Sequence, residues 1–288
     1  MADSLTVTYL TRLNVPSAAP SLSHLVELQR AHVLRIPYET LWMHQGCAWD
    51  IEPEASFMRV ASTGRAGYCF HLNGALAILL GRLGYNVTLH AGAVHREAEA
   101  DEGALGNHLA LHVHDLPDES NTAGSWYVDV GLGNGPLAPI PLQPGIYHQG
   151  GLSYELRTND AHGTSFTLID DPAGDFHHMT WRTEPVSIDR FASHHAFIST
   201  SPESSLRQVP MIQLRTPEST RSLRGRTLRE IGATGSLRLL DDVDDLRATL
   251  SNSFGLDPTT FGPDDLALVW EQCQEAHNAW TAQRDCPD

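Results

Sequence analysis

Apolar positions in the first ninety residues recur at helical spacing. Leu22, Leu25, Val26, Leu28, Val33 and Leu34 form one stripe, with Ser21 placed to cap it and Pro37 to end it. A second stripe (Leu72, Ala75, Leu76, Ile78, Leu79, Leu80, Leu83) starts near Cys69 and runs into Gly84, a helix stop. Beyond Tyr85 the period shortens. Strand-like stretches at 86–95, 108–115, 125–131, 152–158, 165–169 and 178–185 are separated by Gly, Asp, Asn and Pro, the pattern of an antiparallel sheet or small barrel. The acid-rich stretch 96–106 reads as an exposed loop. From about Ser199, strand patterns (211–215, 236–240) mix with helical ones (242–254, 264–280). The order is helices, a β region, then a mixed, lid-like end.

Composition narrows the class. A chain of 288 residues that is 41% hydrophobic can bury a sizeable core without staples. Nineteen basic against thirty-five acidic residues give a formal charge of −16, and every basic residue is arginine. A nucleic-acid partner is therefore not expected, and lysine Schiff-base or lysine phosphate-loop chemistry is excluded. The N-terminus lacks a secretory pattern, and the longest apolar stretch, 74–83, is too short to span a bilayer. A soluble, cytoplasmic protein with no membrane partner is expected. Its four cysteines (Cys47, Cys69, Cys273, Cys286) have no C-x-x-C spacing and should be thiols in that compartment.

One thiol stands out. Cys69 lies at the start of the second helix, where unpaired N–H groups and the helix dipole favour a thiolate, and Arg65 acts in the same direction. The other three cysteines read as structural or incidental. A cysteine nucleophile needs a base, and the base needs an orienting acceptor. Alternation along 108–114 puts His108, Ala110, His112 and His114 on one strand face and Leu109, Leu111 and Val113 on the other. Asp129 sits in an otherwise apolar strand, where a carboxylate is costly unless paired, and an imidazole N–H from the neighbouring strand is the evident partner.

Several ordered motifs resemble those of the arylamine N-acetyltransferase family. Tyr9-Leu10-Thr11-Arg12-Leu13 resembles the opening YLxRI; Arg35-Ile36-Pro37-Tyr38-Glu39-Thr40-Leu41 resembles IPFENL. Arg65-Ala66-Gly67-Tyr68-Cys69-Phe70 resembles RGGYCYE, and Asn107-His108 stands in the place of the family's Thr-His. Val128-Asp129-Val130-Gly131-Leu132-Gly133 resembles VDVGFG. The segments 199–204, 223–228 and 254–257 match third-region signatures, so the likeness spans about 250 residues.

The resemblance implies an α+β fold in three regions. These are an N-terminal helical bundle (1–88), a central antiparallel β-barrel (89–198) and a C-terminal α/β lid (199–288). It selects His108 as base and implies a Cys69–His108–Asp129 triad, with His112 and His114 left as solvent-facing or packing residues. It implies ping-pong transfer of an acyl group from acyl-CoA to an amine, hydrazine or hydroxylamine through an acyl-cysteine, with acyl-CoA as cosubstrate and no bound cofactor. Arg65, Tyr38, Phe70, Asn107, Gly131, Leu132 and Gly133 become candidates for binding substrate or acyl donor. The glycine-rich turn 131–135 would let pantetheine or phosphate approach the backbone. Arg221, Arg224, Arg226 and Arg229 are a candidate site for a CoA phosphate or an acidic carrier protein.

The chain also departs from the pattern. Ala66 replaces a glycine, His71 an acidic residue that commonly pairs with the motif arginine, Leu132 an aromatic and Asn107 a hydroxyl residue. Arg65 must therefore find another partner or stay solvated. An amide synthase using a long or carrier-bound acyl chain is the nearest alternative. A metal-binding barrel built on His112 and His114, joined by His90 or Asp115, is a remote one.

Overall fold

A computed structural model describes residues 3–95, 104–159, 165–169, 177–232 and 235–285. Most of the 96–106 loop, and Cys286, lie outside the described residues. The N-terminal part contains α1 (Ser4–Leu13), α2 (Leu22–Arg35), a two-residue strand β1 (Tyr38–Glu39), the single turn α3 (Leu41–His44), α4 (Pro53–Thr63) and α5 (Cys69–Leu83). The expected caps are in place. Ser21 Oγ accepts from His24 N at 3.2 Å, and Gly84 ends α5 at φ +93°, a conformation glycine adopts without strain. α1 and α4 lie outside the two stripes read from the sequence, yet each buries one face: Tyr9, Leu10 and Leu13 on the first, Phe57, Val60 and Ala61 on the second. Asp3 caps the first and Pro53 opens the second.

α5 is the central helix. Leu72, Leu76, Leu79 and Leu80 are all fully excluded from solvent, each contributing roughly 1.5–3 kcal/mol. Its apolar surface faces α1 and α4 on one side and the sheet on the other, which explains why the stripe in the sequence is so broad.

Eight strands form a nearly closed antiparallel barrel: β2 (Asn86–His95), β3 (His108–His114), β4 (Trp126–Val128), β5 (Ile140–Pro141), β6 (Gly145–Gln149), β7 (Leu152–Asn159), β8 (Ser165–Ile169) and β9 (His178–Pro185). Their order is β5-β4-β3-β2-β9-β8-β7-β6. The alternation along β3 has the expected result. Leu109, Leu111 and Val113 pack into the helical core, while Ala110 joins Tyr127, Tyr154, Leu168 and Trp181 inside the barrel.

The last part holds α6 (Ala192–Thr200), α7 (Ser205–Gln208), strands β10 (Met211–Arg215), β11 (Thr220–Arg224), β12 (Thr227–Ile231) and β13 (Leu237–Leu239), then α8 (Val243–Phe254) and α9 (Asp265–Asp285). A second sheet runs β1-β10-β11-β12-β13. Its first strand comes from the N-terminal part: Tyr38 lies opposite Gln213 and Glu39 opposite Ile212. α8 and α9 cover the far face through Leu246, Leu250, Phe254, Leu266 and Val269, packed on Ile212 and Leu223. Among the described residues no helix is long and apolar enough to cross a membrane.

Candidate active site

Three elements meet at Cys69. The first residue of α5 supplies the thiol, the first residue of β3 supplies His108, and the segment leaving β4 supplies Asp129. His108 Nε2 lies 2.6 Å from Asp129 Oδ2, with both side chains buried. Cys69 acts on the same imidazole and raises its pKa, and Cys69 Sγ donates to the Asn107 carbonyl oxygen at 3.8 Å. Burial alone would lower the His108 pKa. The Asp129 charge, the Asp129 hydrogen bond and the Cys69 contact outweigh that and raise it. Burial likewise opposes ionisation of Asp129, but the charge and hydrogen bond of His108, with Asn73 and Tyr127, hold its carboxyl below the usual range.

Two members of this arrangement were missed in the sequence. Asn73 stands one helical turn after Cys69. Its Nδ2 donates to Leu109 O at 2.6 Å and Asp129 Oδ1 at 2.9 Å, while its Oδ1 accepts Val130 N–H at 2.9 Å. It therefore ties together the segments that carry Cys69, His108 and Asp129. Tyr127 donates its hydroxyl to Asp129 Oδ2 at 2.7 Å. The available signals were the i+4 spacing from Cys69 and the i−2 spacing from Asp129, which put each residue on its neighbour's face.

The thiol opens into a pocket of about 540 Å³. Of the proposed binding residues, Tyr38, Asn107, Gly131, Leu132 and Gly133 line it. His194, Phe197 and Ile198 of α6 form another wall with Leu206, Met211 and Gln213, and Glu203 stands at the rim. The Asn107 carboxamide is already engaged, pairing with Val94 N and O at 2.7 and 2.9 Å. Gly131 has a steric reason to be glycine, because a Cβ there would come within 2.7 Å of Cys69 Cα. A Cβ on Gly133 would overlap the Gln213 carboxamide.

Two candidates lie elsewhere. Arg65 is not among the pocket residues. It is buried and bonds Glu39 Oε1 through Nε and Nη2 at 3.2 and 3.1 Å and Gln45 Oε1 at 3.0 Å. A buried guanidinium needs such a partner, and Glu39 fills the place left open by the missing acid at 71. Phe70 is fully buried against Tyr68 and Phe191 and is a packing residue. His71 instead accepts the Tyr68 N–H on Nδ1 at 3.3 Å, as a capping side chain does; burial, then the nearby Arg59 and His195, lower its pKa and keep it neutral.

The four arginines do not converge. Arg221 donates to Ser253 O and Arg226 to Leu240 O, on the α8 side of the sheet. Arg224, paired with Met211, and Arg229, paired with Ser222, share the opposite face. Cys273 is buried, which pushes its thiol up to about 12 and fits a structural role.

His90, His112 and His114 do come together, with one nitrogen of each within 4.8 Å of the others. Neither His112 nor His114 faces solvent freely; the first is buried and the second half-buried. Their hydrogen bonds form a self-consistent neutral set. His90 Nδ1 faces Arg182 O at 3.0 Å, and Thr88 Oγ1 bridges His90 Nε2 and His114 Nε2 at 2.8 and 3.0 Å. His114 Nδ1 meets Ser125 Oγ, and Trp181 Nε1–H donates to His112 Nε2 at 2.6 Å. An indole nitrogen only donates, so neutral His112 carries its proton on Nδ1, and neither of its nitrogens is ready for a cation.

The N-acetyltransferase family profile matches residues 21–260. The chain belongs to the arylamine N-acetyltransferase family. It is 31% identical over 257 residues to the arylamine N-acetyltransferase of Mycolicibacterium smegmatis, covering 86% of this chain and 90% of that protein. The structure of the Mycobacterium marinum arylamine N-acetyltransferase in complex with CoA superposes with a TM-score of 0.81 at 25% identity, covering 94% of this chain and 99% of that one. Proansamycin X synthase of Amycolatopsis mediterranei is 30% identical over 155 residues, 52% of this chain and 56% of that protein. Members of the arylamine N-acetyltransferase family are acyltransferases, and this chain shares their α+β fold.

Proposed function

We propose that the chain transfers an acetyl or similar acyl group from acyl-CoA to an arylamine, hydrazine or hydroxylamine through a Cys69 thioester. The supporting observation is the meeting of Cys69, His108 and Asp129 at the wall of one pocket. In the first half-reaction the Cys69 thiolate attacks the thioester carbonyl. The CoA thiolate leaves and takes the proton held by His108. In the second, the amine attacks the acyl-cysteine, His108 accepts the amine proton, and Cys69 leaves as thiolate. Asp129 fixes the imidazole by accepting from Nε2, which leaves Nδ1 for the thiol and the amine. N–H groups in the first turn of α5 lack intrahelical partners and suit an oxyanion, an interaction worth roughly 3 kcal/mol.

The apolar wall of Leu132, Phe197, Ile198 and Met211 suits an aromatic acceptor. CoA bound to the structurally similar Mycobacterium marinum enzyme supports acyl-CoA as cosubstrate. Initial rates measured at several fixed acetyl-CoA concentrations against a varied arylamine should give parallel double-reciprocal lines; intersecting lines would rule out the acyl-enzyme route.

A second reading keeps the chemistry and changes the donor. Similarity to proansamycin X synthase over half the chain, together with aliphatic Leu132 in the pocket wall, favours a longer or carrier-bound acyl chain. Acylation by long-chain but not short-chain thioesters would select it.

A further inference from the structure

The Asp129 carboxylate is saturated. Oδ1 accepts from Asn73 Nδ2 at 2.9 Å and Gly131 N at 2.7 Å, and Oδ2 accepts from His108 Nε2 at 2.6 Å and Tyr127 Oη at 2.7 Å. Each oxygen thus receives two donors, which is what its lone pairs can take. Three of these contacts hold the acid in place. The fourth differs because the phenol and the imidazole share one oxygen, so each proton bears on the other.

We propose that Tyr127 is a positioning residue for the acyl transfer, whose hydroxyl competes with His108 for Asp129 Oδ2 and so weakens the hold of the carboxylate on the imidazolium proton. The inference rests on the proposed role of His108 as base. The positive end of the Tyr127 O–H dipole points at Oδ2, and thus toward the His108 N–H bound there. It neutralises part of the carboxylate charge and disfavours a second positive group beside it. The acid still orients the ring but holds its proton less tightly than it would without the phenol. That matters in the second half-reaction, when His108 must be neutral to take the amine proton.

The phenol is held for this task by groups the reaction otherwise leaves unused. Its ring stacks on Trp181 with centroids 4.5 Å apart and planes 21° apart. The Trp181 indole is fixed in turn by its N–H bond to His112, which stacks on His90 at 3.7 Å. Buried His112 of β3 and His90 of β2 thus buttress the tryptophan that clamps Tyr127. The titratable groups facing the Asp129–His108 pair are Cys69 from α5 and Tyr127 from β4. Tyr154 from β7 stands behind Tyr127, and Tyr38 from β1 faces Cys69. Of these only Tyr127 contacts the shared oxygen.

The test is a pH profile of one step. The enzyme is loaded with acetyl-CoA, freed of excess donor and mixed with aniline, and loss of the acetyl mass is followed from pH 5 to 10. In the unsubstituted protein the rate should rise with the deprotonation of His108. Tyr127→Phe should move that rise upward by about 0.5–1 pH unit, which is a three- to tenfold slower reaction below it, with the same plateau above. Site-specific 3,5-difluorotyrosine at 127, a stronger donor of the same shape, should move the rise downward. A structural role would lower the plateau and the thermal midpoint without moving the rise, and would give no reversal of sign. A rise at the same pH in all three proteins overturns the proposal while leaving His108 as base. A flat profile in the unsubstituted protein, or failure to load acetyl, instead overturns the reading on which it rests. Should Tyr127→Phe not fold, the fluorinated protein alone decides by the direction of its shift.

Discussion

Asn73 donates to Asp129 Oδ1 at 2.9 Å from a position one helical turn after Cys69, so the helix that carries Cys69 also holds the acid bonded to His108. Asn73→Ala would strand the Val130 N–H and the Leu109 carbonyl in a dry site, each costing about 1–3 kcal/mol. Turnover should fall at least tenfold, with the acceptor KM little changed. Chemical denaturation and steady-state kinetics on the same preparation would check both.

Arg65 and Glu39 form a buried ion pair away from the pocket, so breaking it should affect folding before specificity. Glu39→Gln leaves an uncompensated guanidinium and should cost about 3–5 kcal/mol. The double substitution Glu39→Gln with Arg65→Met should recover much of that loss. Urea midpoints for the two proteins would show it, and the KM for acyl donor in the double variant should match that of the unsubstituted enzyme.

Stability should fall on the acid side through buried neutral histidines. Burial lowers His32 to about 3, His44 and His90 to about 4 and His112 to about 2. An unfolded chain binds those protons near 6.5, whereas the folded one does not. Their contribution is therefore intact above about pH 6.5 and is lost as pH falls from there, to about 4 for His44 and His90 and on to about 3 and about 2 for His32 and His112, by at most ~1.4 kcal/mol per pH unit each. His108 has the opposite sign, because its folded pKa is raised. Its contribution is complete below about pH 6.5 and is lost as pH rises through that raised value. Urea midpoints should therefore drop between pH 7 and pH 5, and the acid-side drop should be smaller in His32→Gln.

Gly131→Ala should damage the site by contact alone. The added methyl would press on Cys69 Cα at 2.7 Å and Cys69 Cβ at 2.9 Å, and the backbone at the start of α5 has no flexible end to move away. The expected cost is about 1–3 kcal/mol of stability, with acylation of Cys69 slowed more than tenfold. A stopped-flow acylation assay beside a thermal melt separates the two effects.

Much of this was legible in the sequence where chemistry and period coincide. The α5 start at Cys69, its stop at Gly84 and the inward alternation along β3 follow from local rules, and the structure shows them. Cys69, His108 and Asp129 could be named because motifs marked them; spacing along the chain alone left the three histidines of the β3 face on equal terms. The partner of Arg65 was not legible, because Glu39 lies 26 residues upstream and meets it only once β1 joins the second sheet. In the sequence the β11–β12 hairpin presents a cluster of arginines. Its side chains alternate between a core face and an open face, so sequence proximity overstated how close the four guanidinium groups lie. Buried His112 was equally hidden, since its partner Trp181 stands 69 residues away.

The central claim is that Cys69 carries the acyl group between the two half-reactions. Intact-mass spectrometry after incubation with acetyl-CoA and no amine addresses it most directly, using the unsubstituted protein and Cys69→Ala. The account predicts one added acetyl group, located on the Cys69 peptide, removed on adding an arylamine and absent from the variant. A protein that turns over acetyl-CoA and arylamine yet never gains that mass, or gains it equally without Cys69, would contradict it.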